Sequence, residues 1–399
     1  MLHARIDPAG LYPERLDSLA WSFLETITDA NGSKADGGLE FILSNELPVP
    51  IVLNWSGQDG IPMAEPLLAR APLAPGQREI QQIPSLQTGT FLCNLRLLGD
   101  GQGRSSSALS FNGVDAVPVD RDVTFLIEDW RFRSDGTAVA PGSDPEGTSS
   151  RYTVNGKSSF DLTMRANDRL RIRFVNSCQR SVIAVKIELF DVRVMALDSR
   201  PAEPFSARNG ALVLAPGGRA DTFIDISAPS GTTSSILLHD GKEARSIGKL
   251  FVSSQAPVRT APLLPAPALP SNGLPAQPDL KNALHFDLTL GGSWIDWVKP
   301  IDFAASSAPA FRAKAGRTVV LALANRADIA SVFHLHGHHF RLLDRLDDGW
   351  KPFWLDTLAI EAGQTQRVAF AADYAGRWLI EAMATDWAAP RLLRWYSVE

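Results

Sequence analysis

The sequence predicts an all-β protein built from three β-sandwich domains. Short stretches rich in Val, Ile, Leu and Phe alternate with polar residues and are bounded by Gly, Pro, Asn or Asp, which is typical of sandwich strands. Examples are LEFILSN at 39–45, VTFLIEDW at 123–130, LRIRFVNS at 170–177 and VVLALAN at 319–325. Helical periodicity is scarce, and only the segment 12–29 has the pattern of an amphipathic helix.

Three of these strands resemble one another, which indicates three related domains. Each ends in an asparagine (Asn45, Asn176 and Asn325), and each is followed by a second apolar strand. One sandwich of about 100–150 residues fits each repeat. The segment 256–280 is rich in Pro and Ala, and this composition predicts a stiff, extended linker. We therefore predict domains at 1–118, 119–255 and 281–399, with the linker at 256–280.

Composition excludes several classes of protein. The chain has 399 residues, with 39 basic and 44 acidic side chains, so its charge does not favour nucleic acid as a partner. No run approaches the ~18 apolar residues of a membrane span. The first residues lack the pattern of a signal peptide, which leaves both a cytoplasmic protein and a mature exported form open. Two cysteines, Cys93 and Cys178, are too few for a thiolate zinc site, and two separate buried thiols are favoured over one disulfide.

Histidines are concentrated in the segment SVFHLHGHHF at 331–340, which contains four of the seven in the chain. His334, His336 and His338 alternate along the sequence. In a strand, alternate side chains point to the same face, so several imidazoles would share one side. Imidazole is a common metal ligand, and the segment therefore indicates either a metal site or the remnant of one.

Several segments are similar to the multicopper oxidases, a family that includes laccases, cuprous oxidases and copper-free relatives. They are FHLHGHHF at 333–340, AGRWLIEAMATDWAAPRLL at 375–393, YTVNGK at 152–157, LVLAPGGRADTFIDI at 212–226 and TGTFLCNLRL at 88–97. The resemblance implies three cupredoxin-like Greek-key domains. It also implies, for active members, a type 1 copper that takes electrons and a trinuclear copper cluster that reduces O2. By family pattern these centres need ten histidines and one cysteine, more histidines than this chain has.

Most of the family's copper-ligand positions hold other residues in this chain. The resemblance assigns the type 1 positions to Ser331, Ala382, Trp387 and Leu392. It assigns cluster positions in the first domain to Asn54, Ser56, Asn94 and Arg96. In the third domain, His334 and His336 keep the family's residue, whereas Glu381 and Met383 replace cluster histidines.

These substitutions leave three interpretations of the histidine segment. The first is that an Arg96–Glu381 ion pair replaces the cluster, with His334 and His336 hydrogen-bonded in a polar core. The second is one residual copper or zinc ion held by His334, His336, Glu381 and Met383. The third is surface metal binding through His338 or His339. At the type 1 site, bulky Trp387 could fill the vacated volume while Leu392 keeps the site apolar.

The favoured function is that of a non-catalytic binding or scaffold protein with a protein partner, no cofactor and no catalytic residues. The alternative is a protein with one Cu or Zn ion and weak oxidase or copper-handling activity. A third candidate is small-molecule binding between domains. The resemblance also implies export to the periplasm, as in a copper-free branch of the family that includes a protein supporting bacterial cell division.

Overall fold

Nearly all regular structure in this chain is β-strand, which confirms the predicted all-β class. The computed structural model describes residues 2–8, 17–23, 39–83, 88–98, 105–111, 117–271, 273–275, 278–291, 296–344 and 351–399. The predicted helix at 12–29 is wrong where the structure describes it, because Asp17–Phe23 is a strand paired antiparallel with Leu2–Pro8. Backbone pairing with a neighbouring strand here outweighs a short helical pattern. The rest of that segment lies outside the described residues.

The first sandwich consists of a four-stranded and a three-stranded sheet. Its strands are β1 (Leu2–Pro8), β2 (Asp17–Phe23), β3 (Leu39–Asn45), β4 (Ile51–Ser56), β5 (Arg78–Ile83), β6 (Gly89–Leu97) and β7 (Ser105–Phe111). The sheet orders are β2-β1-β3-β5 and β4-β6-β7. A 3-10 turn at Pro62–Ala64 follows β4. Strand β4 is buried along its whole length, so it can present side chains to neighbouring domains.

The second sandwich has a six-stranded sheet, β14-β13-β16-β11-β8-β9, facing a five-stranded sheet, β10-β18-β17-β12-β15. Its strands are β8 (Arg121–Phe132), β9 (Ser149–Val154), β10 (Leu162–Met164), β11 (Arg169–Asn176), β12 (Ile183–Ile187), β13 (Arg193–Leu197), β14 (Arg200–Ser206), β15 (Ala211–Leu214), β16 (Arg219–Asp225), β17 (Thr233–His239) and β18 (Ala244–Val252). A 3-10 turn at Arg208–Gly210 precedes β15. The two sheets enclose an apolar core that includes Phe125, Phe174 and Ile236.

The third sandwich packs the sheet β19-β21-β25-β23 against the sheet β20-β27-β26-β22-β24. Its strands are β19 (Leu284–Leu290), β20 (Arg312–Ala313), β21 (Arg317–Asn325), β22 (Ser331–Leu335), β23 (Arg341–Leu342), β24 (Thr357–Ile360), β25 (Thr365–Ala372), β26 (Gly376–Ala384) and β27 (Leu392–Val398). A 3-10 turn spans Pro300–Asp302. The predicted domain boundaries fall between β7 and β8 and between β18 and β19.

The repeated asparagine makes the same hydrogen bonds in all three sandwiches. Its side-chain oxygen accepts a bond from the backbone N–H two residues later, and its amide donates to two carbonyls. One of these carbonyls lies four or five residues later and the other belongs to a distant segment. Asn45 donates to Val49 and Leu73, Asn176 to Ser181 and Leu214, and Asn325 to Ile329 and Ile360 and additionally to Glu361. The sequence repeat is therefore a structural repeat.

The Pro-rich segment 256–280 has no regular secondary structure among its described residues, and it lies against the second sandwich. Arg259 pairs with Asp120, and Ala266 is buried beside Met195 and Phe223. These contacts place the linker along one side of the second sandwich before the chain enters β19.

Candidate functional site

Two neighbouring strands of the third sandwich present alternate side chains to a cavity. In the antiparallel pair β22–β26, His334 lies opposite Glu381 and Val332 opposite Met383, and all four line the cavity. Because side chains alternate across a strand, Phe333 points the other way into the apolar core.

Strands β4 and β6 of the first sandwich supply the opposite wall. Asn54 pairs with Asn94, and Val52 pairs with Arg96, so these side chains share one face of the sheet. The cavity has a volume of about 820 Å³ and also touches the second sandwich. Six of the eight residues that the resemblance assigns to cluster positions line it, namely Ser56, Asn94, Arg96, His334, Glu381 and Met383.

An ion pair between Arg96 and Glu381 joins the two walls, as the sequence predicted. Arg96 donates from Nη1 to Oε1 of Glu381, and Arg391 donates from its own Nη1 to Oε2 at 2.6 Å. Glu381 is almost fully buried. Burial opposes its ionisation, but Arg96, Arg391 and His336 hold the pKa of its carboxyl well below the usual range. Two guanidinium groups therefore share one buried carboxylate.

His336 lies between two carboxylates. Its Nδ1 is 3.2 Å from Oε1 of Glu65, and its Nε2 is 2.9 Å from Oε1 of Glu381. An ionised carboxylate only accepts hydrogen bonds, so both ring nitrogens donate and the imidazole carries a positive charge. Burial lowers the pKa of His336, but the two carboxylates outweigh burial and raise it to about 9. A protonated imidazole offers no lone pair to a metal.

His334 is in the opposite state, because burial lowers its pKa to about 3. Its Nδ1 is 2.7 Å from the hydroxyl of Thr357, which in turn donates to Asp356. Nδ1 therefore carries the proton of the neutral ring and Nε2 holds the lone pair. The rings of His334 and His336 meet edge to face with centroids 4.8 Å apart, but only His334 has the form that a metal requires.

His338 and His339 are buried, so the interpretation of surface metal binding through them is wrong. His338 accepts a bond from the backbone N–H of Tyr374 and contacts the hydroxyl of Tyr396, which donates to the His336 carbonyl. Both residues follow β22, which ends at Leu335, so the strand alternation expected from the sequence does not extend to them.

His339 belongs to a buried cluster at the junction of the three sandwiches. Its Nδ1 is 2.7 Å from Oδ1 of Asp59 in the first sandwich, and Asp59 also pairs with Arg200 of the second. Burial opposes ionisation of Asp59, but His339 and Arg200 lower the pKa of its carboxyl. This cluster ties together the three sandwiches that enclose the cavity.

The four residues that the resemblance assigns to type 1 positions have separate structural roles. Ser331 donates to the side chain of Asn325, while Ala382 and Leu392 belong to the core of the third sandwich. Trp387 is buried, and its indole N–H donates to the Ala140 carbonyl of the second sandwich at 3.1 Å. The tryptophan thus contributes to a contact between domains. Cys93 and Cys178 are buried free thiols, and burial raises the pKa of Cys93 well above its usual value.

Glu65, Arg391, Asp356 and Thr357 belong to this site, and the sequence did not single them out. Glu65 follows the 3-10 turn after β4, and its Oε2 also accepts the Leu379 backbone N–H at 3.1 Å. Arg391 comes after a loop with no repeating pattern. The sequence indicates these residues only indirectly. A buried Glu381 and a buried His336 each require more than one charged partner, so further charged residues had to lie nearby.

The protonation state of His336 predicts a specific pH dependence of stability. Its pKa is higher in the folded chain, about 9, than the 6.5 of an unperturbed histidine. The stabilisation is therefore complete below pH 6.5 and is lost as pH rises through 9, by about 3 kcal/mol in total. Urea unfolding between pH 6 and 10 should show that His336→Gln removes this loss. The exposed control His285→Gln should keep it, and identical pH profiles for wild type and His336→Gln would contradict a charged His336.

Comparison with known proteins agrees with this geometry. Residues 277–398 match the multicopper oxidase family model. The chain is 21% identical to a multi-copper oxidase from Pseudomonas thermotolerans, with a TM-score of 0.82 and coverage of 100% of this chain and 98% of the other. The predicted resemblance to the multicopper oxidases is confirmed. The chain folds into three cupredoxin-like domains, as the multicopper oxidases do.

Two further multicopper oxidase structures align along the whole chain. Lac15 from a marine microbial metagenome is 23% identical, with a TM-score of 0.76 and coverage of 100% and 99%. The Campylobacter jejuni multicopper oxidase, described as a metallo-oxidase, is 13% identical, with a TM-score of 0.71 and coverage of 100% and 90%. No curated protein matches the sequence. Within the described part of the chain, no helix is long and apolar enough to cross a membrane.

The side chains around this cavity do not fit the copper ions of multicopper oxidases. Copper sites in proteins use neutral imidazole, thiolate or thioether donors. Here Arg96 and Arg391 bring permanent positive charge to the cavity, and His336 is itself charged. Among the residues that the structure describes, no group of three or more His, Cys, Asp and Glu side chains is arranged to hold a metal ion.

Proposed function

We propose that this chain is a multicopper-oxidase-like protein that no longer catalyses copper-dependent oxidation and acts instead by binding, as a non-catalytic scaffold. In this proposal the type 1 ligands and most of the trinuclear ligands have been lost. Their positions are occupied by hydrogen bonds, ion pairs and apolar packing. The fold is kept because it provides a rigid junction of three domains with a large internal cavity.

The observation that supports this proposal is the set of contacts made by Glu381. Its two oxygens accept bonds from Arg96, Arg391 and His336. A cation entering this space would meet two guanidinium groups and an imidazolium, and would have to compete with them for the same carboxylate. Buried charges that satisfy one another are costly to separate, so the network favours its present composition over a metal.

The alternative, one copper or zinc ion at His334, His336, Glu381 and Met383, has weaker support. His334 has the neutral form that a ligand needs, and Met383 lines the same cavity. However, a metal would first have to remove a proton from His336 and displace its bonds to Glu65 and Glu381. These changes lower the free energy gained on metal binding. The two remaining donors, the imidazole of His334 and the thioether of Met383, would have to offset this loss.

Oxygen uptake tests the proposal against this alternative. Protein incubated with copper is supplied with a phenol or with cuprous ions, and dissolved O2 is followed with an electrode. We expect uptake equal to that of buffer with the same copper. Uptake that depends on the protein, is abolished by His336→Gln and survives in the control His285→Gln would support the residual metal site and overturn the proposal.

The proposal includes a protein partner and an exported location, which rest on the family resemblance. Fractionation of cells that express the complete gene should place the protein with periplasmic markers. Recovery with cytoplasmic markers alone would contradict the exported location without affecting the proposed loss of copper chemistry.

A further inference from the structure

The cavity between the three sandwiches has the size of a small-molecule site. Its volume of about 820 Å³ lies within the ~300–1,000 Å³ range of such pockets. Each sandwich contributes to its walls, including Asn94 from the first, Gln179 from the second and His334 from the third. A site at such a junction is held rigidly by the surrounding cores, which reduces the entropic cost of binding.

The charged residues that line this cavity are mostly basic. They are Arg96, Arg180, Lys299 and Arg391, and Glu381 is the one acid among the described lining residues. Arg96 and Arg391 meet at Glu381, so two guanidinium groups lie close together and share that carboxylate. Guanidinium groups bind carboxylate and phosphate groups through charge-assisted, paired hydrogen bonds. The local excess of positive charge therefore favours an anion.

The side chain of Asn54 is an independent indication that a ligand binds beside strand β4. Its side chain is fully buried, and neither its Oδ1 nor its Nδ2 has a hydrogen-bond partner among the residues that the structure describes. It lies between Val52 and Ser56 on β4 and opposite Asn94. These three neighbours line the cavity, whereas Asn54 itself is buried directly beside the lining. Buried amides in folded proteins are almost always hydrogen-bonded, so this amide points to a polar group of a ligand or its bound water.

Apolar side chains cover the rest of the cavity and continue to its rim. Leu92, Val332 and Leu393 line the interior, and Ile301 lines it while remaining 60% exposed beside the exposed Lys299. A bare inorganic ion would leave these surfaces in water. A ligand with an apolar body and an anionic group would cover both kinds of wall.

We propose that this cavity binds an organic anion, with an apolar body and a carboxylate or phosphate group that meets Arg96 and Arg391 beside the buried amide of Asn54. The inference deepens the proposed function, on which it rests, because the cavity must be free of copper for the anion to enter. The sandwiches then serve as a receptor for a small acidic molecule, and binding stabilises the arrangement of the three domains by mass action.

Isothermal titration calorimetry on the complete, metal-free chain tests this inference with four probes. They are 1-naphthyl phosphate, 1-naphthoate, the neutral 1-naphthol and inorganic phosphate. We expect at least one of the two organic anions to bind about tenfold or more tightly than both naphthol and inorganic phosphate. The better of the two organic anions identifies the preferred head group. Equal affinity for the neutral and anionic probes, or no binding by either organic anion, would overturn the inference.

Two variants locate the binding. Asn54→Leu removes the buried amide, so it should weaken the anion about tenfold while leaving the midpoint of thermal unfolding unchanged or raised. Lys299→Gln, at the exposed rim, should weaken it about threefold. Lys314→Gln, an exposed lysine that does not line the cavity, should bind like wild type. Wild-type affinity in both Asn54→Leu and Lys299→Gln would place binding elsewhere and contradict the inference.

Copper content measured on the same samples separates the two proposals. Metal-free protein that fails to bind the organic anions overturns the inference and leaves the proposed function intact. Protein that takes up stoichiometric copper overturns the proposed function, whatever the anion result.

Discussion

Glu381→Gln should lower the free energy of unfolding by about 3 kcal/mol. The substitution removes the one negative charge shared by Arg96, Arg391 and His336 and leaves three cationic groups close together. Breaking a buried ion pair from one side costs about 3–5 kcal/mol. The lower end applies because the side chains of Arg96 and Arg391 are 19% and 21% exposed, so water can partly solvate them.

Urea unfolding at pH 7 measures this effect, and Glu203→Gln is the matched control because that carboxylate is exposed on the second sandwich. The control should change the free energy of unfolding by less than about 0.5 kcal/mol. A Glu381→Gln loss as small as that of the control would mean that the charge network does not hold the first and third sandwiches together.

Asn325→Ala should also lower the free energy of unfolding by about 3 kcal/mol. The variant leaves the buried carbonyl of Ile360 without its hydrogen bond, together with the partly buried N–H of Ala327 and carbonyl of Ile329. Each unsatisfied buried group costs about 1–3 kcal/mol. Partial relaxation keeps each of the three costs near the lower value, so the total stays near the sum of those values. Because the same bonds recur at Asn45 and Asn176, alanine at those positions should have a similar effect.

Asn282→Ala is the control for these variants, since Asn282 is an exposed asparagine of the third sandwich. Denaturation of the control should match wild type within about 0.5 kcal/mol. If the Asn325 and Asn176 variants matched it too, the shared asparagine would be a trace of ancestry with no role in stability.

The fold was predictable from the sequence because its signals are local and repeated. Strand alternation with Asn45, Asn176 and Asn325 at corresponding strand ends identified three sandwiches, and the structure shows these asparagines in equivalent hydrogen bonds. The helix predicted at 12–29 is wrong at Asp17–Phe23 because helical and strand patterns are hard to distinguish over a few residues. Asp17–Phe23 is a strand because it pairs with β1, and this pairing cannot be recognised from the sequence of the segment alone.

The site was predictable only in part. The Arg96–Glu381 pair followed from placing two opposite charges at positions that the family fold brings together. Glu65 and Arg391 carry no such positional signal. Glu65 lies outside the quoted motifs, and Arg391 lies within 375–393 but at none of the copper-ligand positions. Without them, His336 appeared to be an available ligand, whereas its contact with two carboxylates makes it a cation.

Copper content after reconstitution tests the central claim most directly. The purified chain is loaded with cuprous ions under reducing conditions, dialysed and measured by elemental analysis, and its visible spectrum is recorded after reoxidation. We expect far less than one copper per chain and no band at about 600 nm, because in the proposed function the type 1 thiolate is lost and Arg96 and Arg391 stand at the cluster position. One or more copper ions bound per chain, or a band at about 600 nm, would contradict the account.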